Sequence, residues 1–117
     1  MNNAFIETLS SAIDEFAKER DWQQFHSPKN LSMALIVEAA ELVEHFQWLS
    51  ERQSEELDHD RRVAVAEELA DILIYTLRLA SQMEIDLGSA AWAKLEKNRR
   101  KYPVEKARGT ARKYTEL

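Results

Sequence analysis

Two pairs of acidic residues interrupt stretches of the chain that are otherwise apolar. Glu38 and Glu41 stand inside the stretch NLSMALIVEAAELVEHFQW. Glu68 and Asp71 stand inside a second stretch, VAVAEELADILIYTL. A spacing of three residues places both carboxylates of a pair on one side of a helix, roughly 60° apart. Two such helices packed together would therefore gather four carboxylates in one place.

These carboxylates need a partner, because burying one unpaired carboxylate costs several kcal/mol, whereas a whole domain is stable by only about 5–15 kcal/mol. Neither stretch supplies Lys or Arg, since none occurs from Asn30 to Glu51 or from Val63 to Leu77. An ion pair within this helix pair is therefore excluded. Lys or Arg from elsewhere, an oligomer interface that keeps the acids hydrated, and a divalent cation remain as alternatives. Oxygen ligands without Cys favour a hard ion, Mg²⁺ or Mn²⁺.

Length and composition predict an all-α protein. The 117 residues suffice for one hydrophobic core, and 44% of them are hydrophobic. Gly and Pro number two each, too few for the turns of a β protein, which favours long helices. We expect a four-helix bundle in which residues 1–117 form a single domain with a basic tail from about residue 103. The absence of Cys, of a signal-like start and of a long apolar span predicts a cytoplasmic location.

Local signals place the helices. Ser27 as N-cap and Pro28 as first helical residue predict where the second helix begins. A charged connection follows that helix, with Ser54 or Asp58 as candidate caps for the third, and Asp86 is the expected cap of the fourth. We expect the four helices over residues 3–20, 28–48, 60–83 and 87–101.

The net charge of −5 is divided unevenly along the chain. Residues 94–117 carry nine basic and three acidic side chains, whereas residues 1–93 carry seven basic and eighteen acidic ones. A basic segment of this kind is typical of a solvated tail or a weak nucleic-acid patch. It also suits a ligand with phosphates, which a metal ion would hold from one side and Lys or Arg from the other.

Acidic pairs on helices are common and usually solvated, so one such pair predicts nothing by itself. Two pairs inside apolar, cation-free stretches favour metal binding over a structural role. A di-iron carboxylate bundle is a neighbouring alternative, but those bundles place Glu-x-x-His on two helices, whereas here Glu44 follows Glu41 and Asp71 follows Glu68. Nucleophilic catalysis has little support, since the chain has no Cys and no Ser in a recognisable nucleophile elbow.

Four segments together resemble a known family: RDWQQFHSPKNL, EAAELVEHFQW, EELADILIY and KLEKNRRKYPVEKARGTARKYTEL. They are similar to the MazG-like all-α nucleoside triphosphate pyrophosphohydrolases, and most closely to the small single-domain dCTP pyrophosphatase branch. The resemblance covers nearly the whole chain. It implies Mg²⁺-dependent hydrolysis of a nucleoside triphosphate between the α- and β-phosphates, with dCTP or a modified dCTP as favoured substrate. The implied role is housecleaning of the nucleotide pool.

The resemblance also implies which residues form the site. Metal binding and catalysis fall to Glu38, Glu41, Glu68 and Asp71; spacing alone would also allow Glu67 in place of Glu68. The implied nucleotide-binding residues are Trp22, His26, Trp48, Tyr75, Lys94, Asn98 and Tyr102. Ile13 stands where some relatives carry a polar group near the base, so the preferred base stays open.

Two helices that are apolar nearly all round expose more apolar surface than a lone four-helix monomer covers, which predicts an obligate oligomer. The resemblance implies a homotetramer built as a dimer of dimers. Two other classes of function remain. One is a non-catalytic helical oligomerisation or interaction module whose acids pair with Lys or Arg of a partner. The other is a nucleic-acid binder that uses the basic segment, which the acidic body disfavours, so we expect neither a nucleic-acid nor a membrane partner.

Overall fold

The computed structural model describes residues 4–117, and every regular element in that range is helical. The helices are α1 (Ala4–Glu19), α2 (Pro28–Glu44), α3 (Glu51–Ser54), α4 (His59–Gln82), α5 (Leu87–Lys101) and α6 (Val104–Ala107), with 3₁₀ turns at Gln23–Phe25 and Tyr114–Glu116. The all-α prediction is confirmed, and the four predicted long helices correspond to α1, α2, α4 and α5. The expected first helical residue, Asn3, lies outside the described residues. No helix in the described range is both long and apolar enough to span a membrane.

The chain divides into two compact units, one reaching to Ile85 and the other formed by Asp86–Leu117. In the first unit α4 packs against both α2 and α1. The buried hydrophobic residues of this unit come from all three helices: Ile13, Ala17, Leu31, Leu77 and Ala80. The second unit contains α5 and α6. The single domain and the four-helix bundle remain predictions.

Helix α2 begins where the sequence predicts and ends earlier. The Ser27 hydroxyl accepts a hydrogen bond from the Asn30 amide at 3.2 Å, and Pro28 is the first helical residue. The helix ends at Glu44, so the expectation that it runs on to Trp48 is wrong. The Arg61 guanidinium, from α4, donates to the His45 carbonyl at 2.8 Å and so satisfies a terminal acceptor that a longer helix would bond internally.

Side-chain caps fix the remaining helix starts. The connection after α2 contains the short helix α3, which opens with a capping box at Ser50. Of the two candidate caps for α4, the structure uses Asp58, whose carboxylate accepts from the Arg61 amide at 2.8 Å. Asp86 caps α5 in the same way. Helices α4 and α5 therefore begin within one residue of their predicted positions.

Apolar side chains remain exposed along two faces of the first unit. On α2 they are Met33, Ile36, Val37 and Val43, and on α4 they include Leu69, Leu73 and Ile74. Ile36 and Val37 lie three and four residues after Met33, and Val43 lies two turns after Ile36. Leu73 lies four residues after Leu69, so each set forms an apolar stripe along its helix. The side chain of Ile36 is 66% exposed. Contiguous apolar stripes of this kind are typical of protein interfaces.

Candidate active site

Three glutamates meet where α2 packs against α4. Glu38 and Glu41 lie three residues apart on α2, and Glu68 faces them from α4; one oxygen from each lies within 4.8 Å of the others. We call these three residues the carboxylate cluster. Oxygens bound to one divalent cation at about 2.1–2.5 Å lie up to roughly 4–5 Å apart. The cluster therefore has the dimensions of a cation site, and Glu68, not the exposed Glu67, is its member from α4.

Two oxygens of the carboxylate cluster lack hydrogen-bond donors in the part of the chain that the structure describes. Glu38 Oε2 and Glu68 Oε2 are both buried, and neither receives a hydrogen bond from the described residues. Burial, followed by the hydrogen bond and the charge of Glu41, raises the pKa of Glu38 from its ordinary 4.5 to about 7. Burial and Glu41 raise the pKa of Glu68 as well. Because a divalent cation would bind these oxygens and balance their charge, the residues present fit a metal ion.

One basic group of the helix pair does reach the cluster. His45 Nε2 lies 3.8 Å from Glu68 Oε1, so the exclusion of an ion pair within this helix pair is wrong for the protonated imidazole. The sequence reasoning counted Lys and Arg and left out His. The positive charge of His45 opposes the rise in the pKa of Glu68. A single imidazole does not balance three carboxylates, so the cluster still fits a divalent cation.

Asp71 lies beside the carboxylate cluster. Three of the four predicted carboxylates form the compact group, and Asp71 is not one of the three. Its negative charge nevertheless helps to raise the pKa of Glu38 and of Glu68, which indicates that it lies near both. Asp71 also lines a neighbouring cavity. Asp71 therefore both acts on the charge of the cluster and belongs to the lining of that cavity.

The cavity next to Asp71 has a volume of about 230 Å³, and we call it the aromatic cavity. Its apolar walls come from Ile13, Phe16, Ala17, Trp22, Ile74 and Tyr75, and its polar residues are His26, Asp71 and Arg78. The Trp22 ring packs edge-on against Phe16 at 5.6 Å and against His26 at 6.2 Å between centroids. The structure thus brings three predicted nucleotide-binding residues, Trp22, His26 and Tyr75, to one cavity.

The other predicted nucleotide-binding residues lie elsewhere. Trp48 follows α2, is 87% exposed and is not among the residues that line the aromatic cavity. Lys94, Asn98 and Tyr102 belong to the second unit, with Lys94 exposed and Asn98 half-buried on α5. Within that unit the Tyr102 ring packs edge-on against Tyr114 at 6.0 Å. The nucleotide contacts of these residues stay predictions.

Sequence reasoning missed a buried polar network at the aromatic cavity. Arg78 has a side chain only 5% exposed, and its Nη1 donates to Asp14 Oδ1 at 2.8 Å. Its Nε donates to His26 Nδ1 at 3.0 Å. The second oxygen of Asp14 accepts from the Ser81 hydroxyl at 2.6 Å. The only signal in the sequence is a single Arg between Leu77 and Leu79 near the end of an apolar helix, where a charged side chain needs a partner.

The network fixes the protonation of His26. Because Nδ1 accepts from Arg78, that nitrogen carries no proton and the imidazole N–H is on Nε2. Burial and then the Arg78 charge lower the pKa of His26, which favours the neutral ring. The His26 carbonyl also accepts from Gln82 Nε2 at 3.0 Å. Residues of α4 thus bind both the ring and the backbone carbonyl of His26.

Comparison with known proteins shows to which family the chain belongs. The model of the MazG-like family matches residues 33–117. The chain belongs to the MazG-like family. It is 49% identical to dCTP pyrophosphatase 1 of Bos taurus, covering 96% of this chain and 68% of the relative, and 48% identical to dCTP pyrophosphatase 1 of Homo sapiens, covering 96% and 67%. A crystal structure of a pyrophosphatase from Archaeoglobus fulgidus matches with a TM-score of 0.80 and 41% identity over 88% of this chain and 96% of that one.

For this MazG-like chain the family resemblance predicted from sequence is confirmed. All four predicted carboxylates lie inside the segment that the family model matches, whereas Asp14, Trp22 and His26 precede it. The candidate site in this chain thus combines the carboxylate cluster from α2 and α4 with a cavity whose walls also come from α1 and the following turn. Such an arrangement can hold a metal-bound anionic group in one part and a flat apolar group in the other.

Proposed function

We propose that the protein hydrolyses nucleoside triphosphates to the monophosphate and pyrophosphate with a divalent metal ion, Mg²⁺ or Mn²⁺, and favours dCTP or a modified dCTP. One observation carries the proposal. The carboxylate cluster has two buried oxygens that lack donors among the described residues, and Asp71, whose charge acts on Glu38 and Glu68, also lines the aromatic cavity. The curated relatives named dCTP pyrophosphatase 1 support cytosine as the favoured base. Such an activity would remove surplus or modified deoxycytidine triphosphates from the nucleotide pool.

The chemistry follows from the charges of the site. Glu38, Glu41 and Glu68 would hold the metal ion, with Asp71 beside them. A bound ion would supply positive charge to the phosphates and to the pyrophosphate that leaves. A carboxylate of the cluster accepts the proton of the water that attacks the α-phosphorus. The bond from the α-phosphorus to the bridging oxygen breaks, and that oxygen leaves with pyrophosphate.

The nucleoside would occupy the aromatic cavity. Trp22 and Tyr75 offer ring surface to a base and sugar, and His26 offers an N–H donor. Trp48, Lys94, Asn98 and Tyr102 complete the nucleotide site in this proposal, with Lys94 and Tyr102 directed to phosphates. Their assignment rests on the motifs shared with the family.

The test is pyrophosphate release from a panel of dNTPs and NTPs, including 5-modified dCTP, with Mg²⁺ and with a chelator. Native protein should act only with metal, and Glu68→Gln should lower kcat/KM by about 100-fold or more because a metal ligand is lost. Glu67→Gln is the matched control, since Glu67 is the exposed neighbour on the same helix turn. Absence of release from every nucleotide by folded protein would contradict the proposal and favour a non-catalytic interaction module.

We also propose that the protein assembles as a homotetramer, a dimer of dimers. The apolar stripes of α2 and α4 support this, because a monomer would leave them in water. Multi-angle light scattering at micromolar concentration should give the tetramer mass. A stable monomer would contradict the proposed assembly and would leave the chemistry proposed for the carboxylate cluster unaffected.

A further inference from the structure

We propose that Arg78 recognises the nucleobase by donating a hydrogen bond from Nη2 to a carbonyl oxygen of the base, which is O2 in cytosine. The proposal rests on the proposed function only for the identity of the ligand as a nucleotide. Arg78 would be an additional residue of the nucleotide site, and it would select bases that carry a carbonyl group within its reach.

Arg78 is held in one orientation. Asp14 accepts from Nη1 at 2.8 Å and His26 accepts from Nε at 3.0 Å, so two of the three guanidinium nitrogens are engaged by fixed partners. Asp14 is itself fixed by the Ser81 hydroxyl at 2.6 Å, one turn further along α4. A donor anchored in this way loses little freedom when a ligand binds, which favours selective recognition.

The third nitrogen is left without a partner. Arg78 Nη2 is buried and makes no hydrogen bond to the described residues. Leaving a charged donor buried and unpaired is unfavourable, and hydrogen bonds from charged donors are among the strong ones. Arg78 also lines the aromatic cavity. A ligand in that cavity that brings an acceptor would satisfy this nitrogen once the side chains covering it move aside.

The surroundings indicate a neutral acceptor in place of a phosphate. The Asp14 carboxylate already balances the charge of Arg78 through the 2.8 Å ion pair. Asp71 adds a further negative charge to the cavity lining, which disfavours an anion there. The walls contributed by Phe16, Trp22 and Tyr75 suit a flat ring. The phosphates would instead accompany the metal ion at the carboxylate cluster.

The chemistry of the guanidinium limits which group of a base Arg78 can bind. Arg carries donors and no acceptor, so it binds a carbonyl oxygen and not an exocyclic amine. Cytosine offers the O2 carbonyl for this contact, whereas adenine has no carbonyl oxygen. The contact therefore distinguishes dCTP from dATP, and it predicts that removing the carbonyl from the substrate has the same effect as removing the donor from the protein.

The experiment pairs a protein change with a substrate change. Pyrophosphate release is measured for native protein and Arg78→Lys, each with dCTP and with an aminopyridine C-nucleoside triphosphate in which C–H replaces the C2 carbonyl. Arg78→Lys should lower kcat/KM for dCTP by about 10- to 100-fold, mainly through KM, and should change little for the analogue. Arg62→Lys, an exposed arginine on the same helix, is the matched control.

The outcomes separate base recognition from other roles of Arg78. An equal loss with dCTP and with the analogue would overturn the proposal, since it would show a phosphate contact or a structural role. No loss with either would overturn it too. Should Arg78→Lys fail to fold, native protein alone decides: a 10- to 100-fold lower kcat/KM for the analogue supports the contact, and equal values refute it.

A binding measurement separates this proposal from the proposed function. Metal-free protein is titrated with dCMP and followed by isothermal titration calorimetry, because the fluorescence of its three tryptophans would not report on Trp22 alone. Arg78→Lys should raise the dCMP Kd by about 10- to 100-fold even if no nucleotide is hydrolysed. Hydrolysis of dCTP together with an unchanged dCMP Kd in Arg78→Lys would overturn the role of Arg78 and leave the proposed function intact.

Discussion

Glu38 on α2 and Glu68 on α4 bring carboxylate oxygens to within 4.8 Å of each other, and each keeps one buried oxygen that no described donor reaches. Packing of α4 on α2 forces this approach, because both side chains lie on the faces that join the two helices. The like charges oppose the packing that holds them together. We therefore expect the metal-free protein to be strained at the carboxylate cluster.

The first prediction concerns metal and thermal stability. Glu38→Gln removes one of the repelling charges, so it should raise the Tm of chelator-treated protein by several degrees. The same substitution should abolish the rise in Tm that Mg²⁺ gives the native protein, because a ligand is missing. Differential scanning fluorimetry with and without Mg²⁺ measures both effects. Glu44 is an exposed glutamate on the same helix. Glu44→Gln should leave the Tm in chelator unchanged and should keep the rise in Tm with Mg²⁺.

The second prediction concerns pH. Because burial and then Glu41 raise the pKa of Glu38 from 4.5 to about 7, the folded protein holds a proton there that the unfolded chain has lost. The free energy of unfolding of metal-free protein should therefore fall as pH rises from 4.5 to about 7. Urea unfolding in chelator at the two ends of that range measures the fall. The decrease should be smaller in Glu38→Gln, and a stability that instead rises with pH across this range would contradict the assignment.

Metal affinity should change with pH in the opposite direction. The ion binds the ionised carboxylates, so protons compete with it below the raised pKa of Glu38 of about 7. Calorimetric titration with Mn²⁺ should show tighter binding as pH increases toward that value. Below that pH, binding of the ion should release a proton. Affinity independent of pH would mean that Glu38 is not a ligand.

The third prediction concerns the pair of Asp14 and Arg78. Their 2.8 Å contact should give a coupling of about 1–3 kcal/mol in a double-mutant cycle of Asp14→Asn and Arg78→Lys, measured by urea unfolding. The exposed pair of Arg52 and Glu56, at 3.9 Å, is the comparison and should couple by less than about 0.5 kcal/mol. Equal couplings for the two pairs would show that burial gives the Arg78 pair no advantage.

The fourth prediction concerns the apolar stripe of α2. Ile36→Glu places a charge in the middle of the stripe, which should shift the assembly toward smaller species in light scattering at micromolar concentration. Val104→Glu changes an exposed hydrophobic residue on α6 that belongs to neither stripe, and it should leave the mass unchanged. A native-like mass for Ile36→Glu would place the interface elsewhere.

The sequence by itself determined the features that depend on neighbouring residues. Ser27 with Pro28 specified the start of α2, and Asp86 specified the start of α5, because a cap acts within its own turn. The spacing of Glu38 and Glu41 placed both on one helix face for the same reason. Helical character, the acidic motifs and the family resemblance could therefore be predicted without a structure.

Tertiary packing decided the rest. Helix α2 ends at Glu44 and not at the predicted Trp48, and the carbonyl of the next residue, His45, is bonded by Arg61 from 16 residues away. Arg78 meets Asp14 and His26 across 64 and 52 residues, and no local pattern relates these positions. Which oxygens of Glu38 and Glu68 lose their water likewise depends on how α4 lies against α2. Local hydrogen bonding and helical periodicity act over a few residues, whereas burial and partner choice depend on residues that only folding brings together.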